Sequence, residues 1–95
     1  MPYRLRPSAR KDISDILAYI AVRNPDAARA WRNAMFHILD LLGANPHLGV
    51  AHDEVREGLR MFPTGNYIVL YRADRVGILV LRVIHAARDW QTVSK

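Results

Sequence analysis

The sequence predicts an α+β domain of order β-α-α-β-β-β, in which an N-terminal helical hairpin packs on one face of an antiparallel sheet. Three observations predict it. Between Ile13 and Leu42 the apolar residues keep a 3.6-residue period, interrupted once at Asn24-Pro25. From Gly58 onward the period shortens to two, and Pro63-Thr64-Gly65-Asn66 and Ala73-Asp74-Arg75 supply turn chemistry between the resulting strands. A helix pair followed by meandering strands buries its apolar stripes by layering on the sheet.

Tyr3-Arg4-Leu5-Arg6 alternates and stops at Pro7, which cannot donate to a ladder, so it reads as an edge strand. Ser8 stands where an N-cap belongs, with Asp12 and Asp15 early in the helix, where its dipole favours acids. Ile13, Ile16, Leu17 and Ile20 then form one stripe. Asn24 caps a second helix, and Pro25 occupies its first turn. Ala28, Trp31, Met35, Ile38, Leu39 and Leu42 continue on the helical period, and Gly43 is read as the left-handed residue that ends it. Asn45 to Glu57 is polar and reads as a connection. Gly58 to Phe62, Tyr67 to Arg72 and Val76 to Ile84 are the strands.

The 95 residues support one domain, 1–95, with 51% hydrophobic and 24% charged residues, the balance of a folded chain. The absence of cysteine excludes disulfides and thiolate metal sites. No run approaches the roughly 20 apolar residues that cross a bilayer, so a cytoplasmic protein without membrane contact is expected. Of the net charge of +5, residues 58–95 carry +4 (six Arg/Lys against Asp74 and Asp89), and residues 1–57 carry +1. Twelve of the fourteen cations are arginine, whose planar fork suits carboxylates and phosphates, so an acidic partner is implied.

Strand alternation assigns two faces. Leu59, Met61, Ile68, Leu70, Leu79, Leu81 and Val83 make one apolar set, expected under the helices. The other set, Arg60, Phe62, Tyr67, Val69, Tyr71, Val80 and Arg82, combines arginines with aromatics and is expected to be open to a nucleic acid or a peptide. His47 and His52 lie near Asp53 and Glu54 at no zinc-ligand spacing, so no metal is expected, and His37 is expected on a solvated face. His85 ends the last strand among basic and aromatic groups, where an imidazole moves protons or simply caps a strand. No phosphate-binding glycine loop, nucleophile elbow or paired-carboxylate motif occurs.

Two segments carry a family resemblance: Gly58-Leu59-Arg60-Met61-Phe62-Pro63-Thr64-Gly65-Asn66-Tyr67-Ile68-Val69-Leu70-Tyr71-Arg72 and Arg82-Val83-Ile84-His85-Ala86-Ala87-Arg88-Asp89-Trp90. In this order they resemble toxins of the ParE branch of the RelE/ParE superfamily. Tyr3-Arg4-Leu5, Asn24-Pro25 and the loop from Asn45-Pro46 to Gly49 agree. The resemblance implies a type II toxin–antitoxin module, with the toxin held in a hetero-oligomer by an acidic, ParD-like antitoxin. It implies DNA gyrase as the target, blocked replication and growth arrest, and no cofactor. It also suggests Arg60, Phe62, Tyr71, Arg72, Arg82, His85, Arg88 and Trp90 as residues that meet target or antitoxin.

The RelE branch implies a different activity, ribosome-dependent mRNA cleavage, for which Arg60 and Arg82 would stabilise phosphate and His85 or Tyr71 would move protons. The ribonuclease pattern usually adds lysines or an acid before the position of Arg60 and an aromatic or His-Tyr pair at the C-terminus. Here only Glu54 and Glu57 precede Arg60, the lysines are Lys11 and Lys95, and Ala86-Ala87 follow His85. This departure favours the ParE reading, in which the toxin has no catalytic centre of its own. A third reading is a chain that no longer poisons and acts only as a binding partner in a repressor complex.

Overall fold

The computed structural model describes residues 2–93. Strand β1 (Tyr3–Leu5) leads into helices α1 (Pro7–Arg23) and α2 (Pro25–Ala44), followed by strands β2 (Val50–Ala51), β3 (Leu59–Thr64), β4 (Tyr67–Asp74) and β5 (Gly77–His85) and a short helix α3 (Trp90–Val93). The five strands form one mixed sheet in the order β1-β5-β4-β3-β2. β2 to β5 are antiparallel neighbours, whereas β1 runs parallel to β5, with Tyr3 opposite Ile78 and Leu5 opposite Val80. The parallel pairing is long-range: α1, α2 and the antiparallel run of β2, β3 and β4 separate β1 from β5 in the chain.

Asn24 caps α2 as expected, its Oδ1 accepting from the Ala27 N–H at 3.1 Å, with Pro25 at the first position. The start of α1 differs. Pro7, not Ser8, opens the helix, and the Ser8 hydroxyl donates 2.8 Å to the Leu81 carbonyl of β5. Gly43 lies inside α2 without a positive φ. A side chain there would begin 2.6 Å from Pro2, so close packing of the residue before β1 and not a left-handed cap selects glycine. Two further differences concern the strands: β3 continues through Pro63 to Thr64, leaving Gly65-Asn66 as a two-residue turn, and the polar connection contributes β2.

The face assignment is reversed relative to the expectation. Val69, Tyr71, Ile78, Val80 and Val83 are buried against Ile13, Met35, Leu39 and Leu42, so the set containing the aromatics lies beneath the helices. Phe62 and Tyr67 pack at the margin of this core. Leu59, Ile68, Leu70, Leu81 and Ile84 form a second core on the other face, with Val55 and Trp90 against it. Both parities are apolar, which removes the polar-out signal that normally tells the faces apart. A bulge adds to the difficulty: Leu70 pairs with Arg82 but Tyr71 with Val80, leaving Leu81 without an opposite residue and shifting the parity of β5. Val83 therefore joins the helix-side core, while Leu79 and Leu81 belong to the second.

Candidate functional site

β1 pairs with only Ile78, Leu79 and Val80 of the nine residues of β5, so the outer edge of β5 from Leu81 to His85 needs other partners. α1 supplies them, with side chains one turn apart. Ser8 takes the Leu81 carbonyl, and Asp12 Oδ2 accepts from the Val83 N–H at 2.9 Å. Asp12 also holds Arg82 in a bidentate pair, at 2.7 Å from Nε and 2.9 Å from a terminal nitrogen. This hydrogen bonding raises the Arg82 pKa further above its ordinary value and keeps the guanidinium charged. The acid expected to favour the helix dipole therefore serves as a tertiary clamp.

Beyond Asp12 the helix diverges from the strand, and a cleft of about 290 Å³ opens between them. Its walls are Asp15, Ile16 and Tyr19 from α1, Tyr67 from β4, and Val83, Ile84, His85 and Arg88 from the end of β5 and the segment after it. The His85 and Tyr67 rings meet edge to face, with centroids 5.4 Å apart. His85 Nδ1 accepts the Ala87 N–H at 3.1 Å, so the proton of the neutral ring sits on Nε2, which is left as a donor. Arg88 is exposed and enters no ion pair among the described residues.

The other sequence-predicted residues lie elsewhere. Tyr71 is fully buried, and its hydroxyl donates to the Pro46 carbonyl and accepts from the Gly49 N–H, both at 2.8 Å. Burial raises its pKa above the ordinary 10.0, opposed by the Gly49 hydrogen bond and the nearby Arg60 charge. Arg60 donates 2.7 Å to the Gly49 carbonyl and 3.4 Å to that of His47. Together they fasten the loop after α2 to the sheet. Gly49 fits because a side chain there would begin 2.5 Å from the Tyr71 hydroxyl. Arg72 stands opposite Leu59, and Trp90 meets the ring of His52 edge to face at 4.7 Å on the second sheet face. His52 Nδ1 contacts Glu54 at 2.9 Å, a hydrogen bond that lowers the Glu54 pKa. The four groups of the ribonuclease reading are thus divided among a loop anchor (Arg60, Tyr71), a helix clamp (Arg82) and the cleft (His85).

A second concavity, of about 250 Å³, lies on the opposite side of α1. Leu5, Ile13, Leu17 and Phe36 form its apolar floor, and Arg10 and Arg32 flank it. Arg32 lies 5.1 Å over the Phe36 ring, and neither arginine enters an ion pair among the described residues. Splitting the charge by sequence halves pointed to the strands and tail and missed this pair, because the fold gathers cations from α1 and α2. The cleft residues on α1 left a trace in the sequence: Asp12, Asp15, Ile16 and Tyr19 fall on one helical face by their spacing. No group of three potential metal ligands occurs among the described residues, and no helix there is long and apolar enough to cross a membrane.

Comparison with known proteins places this architecture. The chain superimposes on a protein from the chromosomal ParDE TA system of P. aeruginosa with a TM-score of 0.73 at 19% identity, over 90% of this chain and 95% of the other. It is 33% identical over 89 residues to Toxin ParE1 of Mycobacterium tuberculosis, covering 92% of this chain and 91% of the relative. It is 28% identical over 89 residues to Toxin ParE1 of Caulobacter vibrioides, covering 93% and 92%. Residues 3–90 match the model of the ParE toxin of the type II toxin-antitoxin system parDE, and the chain belongs to that family.

Proposed function

We propose that this ParE-type toxin arrests growth in the cytoplasm by binding DNA gyrase and blocking replication, through its C-terminal strands and tail and with no catalytic centre of its own. The observation that supports this reading over RNA cleavage is the commitment of the candidate ribonuclease groups. Arg60 is engaged by loop carbonyls, the Tyr71 hydroxyl is buried between Pro46 and Gly49, and Arg82 is held by Asp12. Phosphodiester cleavage needs such groups converging on one phosphate. The test pairs two assays. Purified chain is expected to inhibit gyrase supercoiling and to trap cleaved DNA complexes, while primer extension after brief induction finds no codon-linked mRNA cuts. Codon-linked cuts, with gyrase unaffected at micromolar toxin, would reverse the assignment.

A ParD-like acidic antitoxin neutralises the toxin by forming a hetero-oligomer with it. Its amphipathic helix lies along the helical hairpin, with apolar side chains on Leu5, Leu17 and Phe36 and carboxylates toward Arg10 and Arg32. The family match and the origin of the structural neighbour in a ParDE system support this half of the reading. Replacing Arg10 and Arg32 together by glutamate is expected to abolish co-purification with the antitoxin.

A further inference from the structure

We propose that the tip of the β4–β5 hairpin, Arg75-Val76, forms with Arg72 and Leu79 a docking knob for an acidic protein surface, that of the toxin's target and not of its antitoxin. Only the name of that target, gyrase, rests on the proposed function.

The hairpin tip runs against ordinary turn chemistry. Asp74 pairs with Gly77 across the ladder, so Arg75-Val76 is a two-residue connection. Such positions favour glycine, asparagine and aspartate, whereas a β-branched apolar residue stands here and is 66% exposed. Val76 belongs to neither hydrophobic core. Its neighbours hold the turn in shape. The Asp74 carboxylate accepts the Val76 N–H at 3.0 Å and pairs with Arg4 of β1. Gly77 takes a φ of +132°, and a side chain there would strike the Pro2 carbonyl. A lone exposed valine is ordinary, but one fixed at the tip of a braced turn meets a partner with little further loss of freedom.

The surroundings of the tip set the chemistry of that partner. Opposite residues in a sheet share a face, so the register lays Arg4, Leu79, Arg72 and Leu59 in one row across the second face. Leu79 and Arg72 are half-buried, and the Arg72 stem lies over Gly58, where a side chain would begin 3.5 Å from its Cγ and Cδ. Asp74 is taken by Arg4, and neither Arg72 nor Arg75 enters an ion pair among the described residues, Glu57 beside Gly58 included. This corner thus offers two guanidinium groups without carboxylate partners next to the apolar Val76 and Leu79. Carboxylates match the forks, and a shallow apolar pocket matches the valine. A nucleic acid supplies anions but no such pocket. The sheet separates the corner from the groove flanked by Arg10 and Arg32, which lies on the helix side. At about 3.3 Å per residue, β5 places the tip roughly 26 Å from His85 and the cleft.

Gyrase supercoiling and growth arrest test the knob in Arg72→Glu, Arg75→Glu and Val76→Glu, with Val22→Glu at an exposed position of α1 as the control for an added charge. Each knob variant should need about ten-fold more toxin to inhibit gyrase and should relieve growth arrest. Each should keep the melting temperature and the antitoxin affinity of the unaltered chain, and Val22→Glu should inhibit fully. Unchanged inhibition and arrest in Arg75→Glu and Val76→Glu would overturn the proposal, as would an equal loss in Val22→Glu or a parallel fall in antitoxin affinity. So would binding to a short DNA duplex, read by fluorescence anisotropy, that both arginine variants lose and Val76→Glu keeps. Arrest that the knob variants relieve, by a chain that leaves gyrase untouched, would support the knob and remove the gyrase reading. A chain that arrests no growth would overturn both.

Discussion

Tyr71 shows how a residue type suited to chemistry can be fully employed in structure. Its phenol bridges the Pro46 carbonyl and the Gly49 N–H. Tyr71→Phe leaves both groups without that partner and is expected to cost about 1–3 kcal/mol in urea denaturation. Because burial raises the folded phenol's pKa above 10.0, its contribution to stability is fully present below that pH and is lost as pH rises through the folded value. Tyr3 is shifted in the same direction, chiefly by burial, so Tyr71→Phe should reduce the alkaline loss of stability and not abolish it. Denaturation midpoints between neutral and alkaline pH check this. Asp12 is the second such residue. Asp12→Ala strands both the Arg82 guanidinium and the Val83 N–H and should cost about 2–3 kcal/mol. Asp12→Asn, which keeps an acceptor, should cost less. Adding Arg82→Ala to Asp12→Ala should cost little more, since the partner is already gone.

Among the elements, the helices were the most legible. Asn24-Pro25 and the stripes from Ile13 to Leu42 place them within a residue or two, because an amphipathic period and a cap are local signals. The sheet was legible in its strands but not in its faces. Two cores lie back to back, one beneath α1 and α2 and one beneath the segment after β5, so neither parity is polar. The pairing of β1 with β5 and the bulge at Leu81 are long-range choices that no local window records. Of the cleft, His85 and Arg88 stood in one motif, Tyr67 in the face expected to be open and the α1 residues on one helical face, but only the fold brings the three together. The second core gives its own test. Trp90→Ala should cost about 2–3 kcal/mol, because the half-buried ring packs against this core, and should raise binding of an apolar dye. An unchanged melting temperature would show that the segment after β5 contributes nothing to that face.

At the scale of the whole molecule, the net charge of +5 is displayed on both sides of α1: Arg10 and Arg32 flank one concavity, and Arg88 borders the other. Antitoxin association should therefore slow markedly as ionic strength rises from about 0.05 to about 0.3 M, while dissociation changes less. Stopped-flow rates over that range check it, and a flat response would mean that apolar contacts alone guide the encounter. The parallel β1–β5 ladder adds an order in time. Gly43 and Gly77 leave room for Pro2 between α2 and β5, so β1 has no place to dock until β5 has been made. A nascent chain stalled before Gly77 should accordingly remain open to protease along β1 and α1. The sheet thus gains its β1 edge only once β5 is available, and a toxin interrupted before that strand is an unfinished fold.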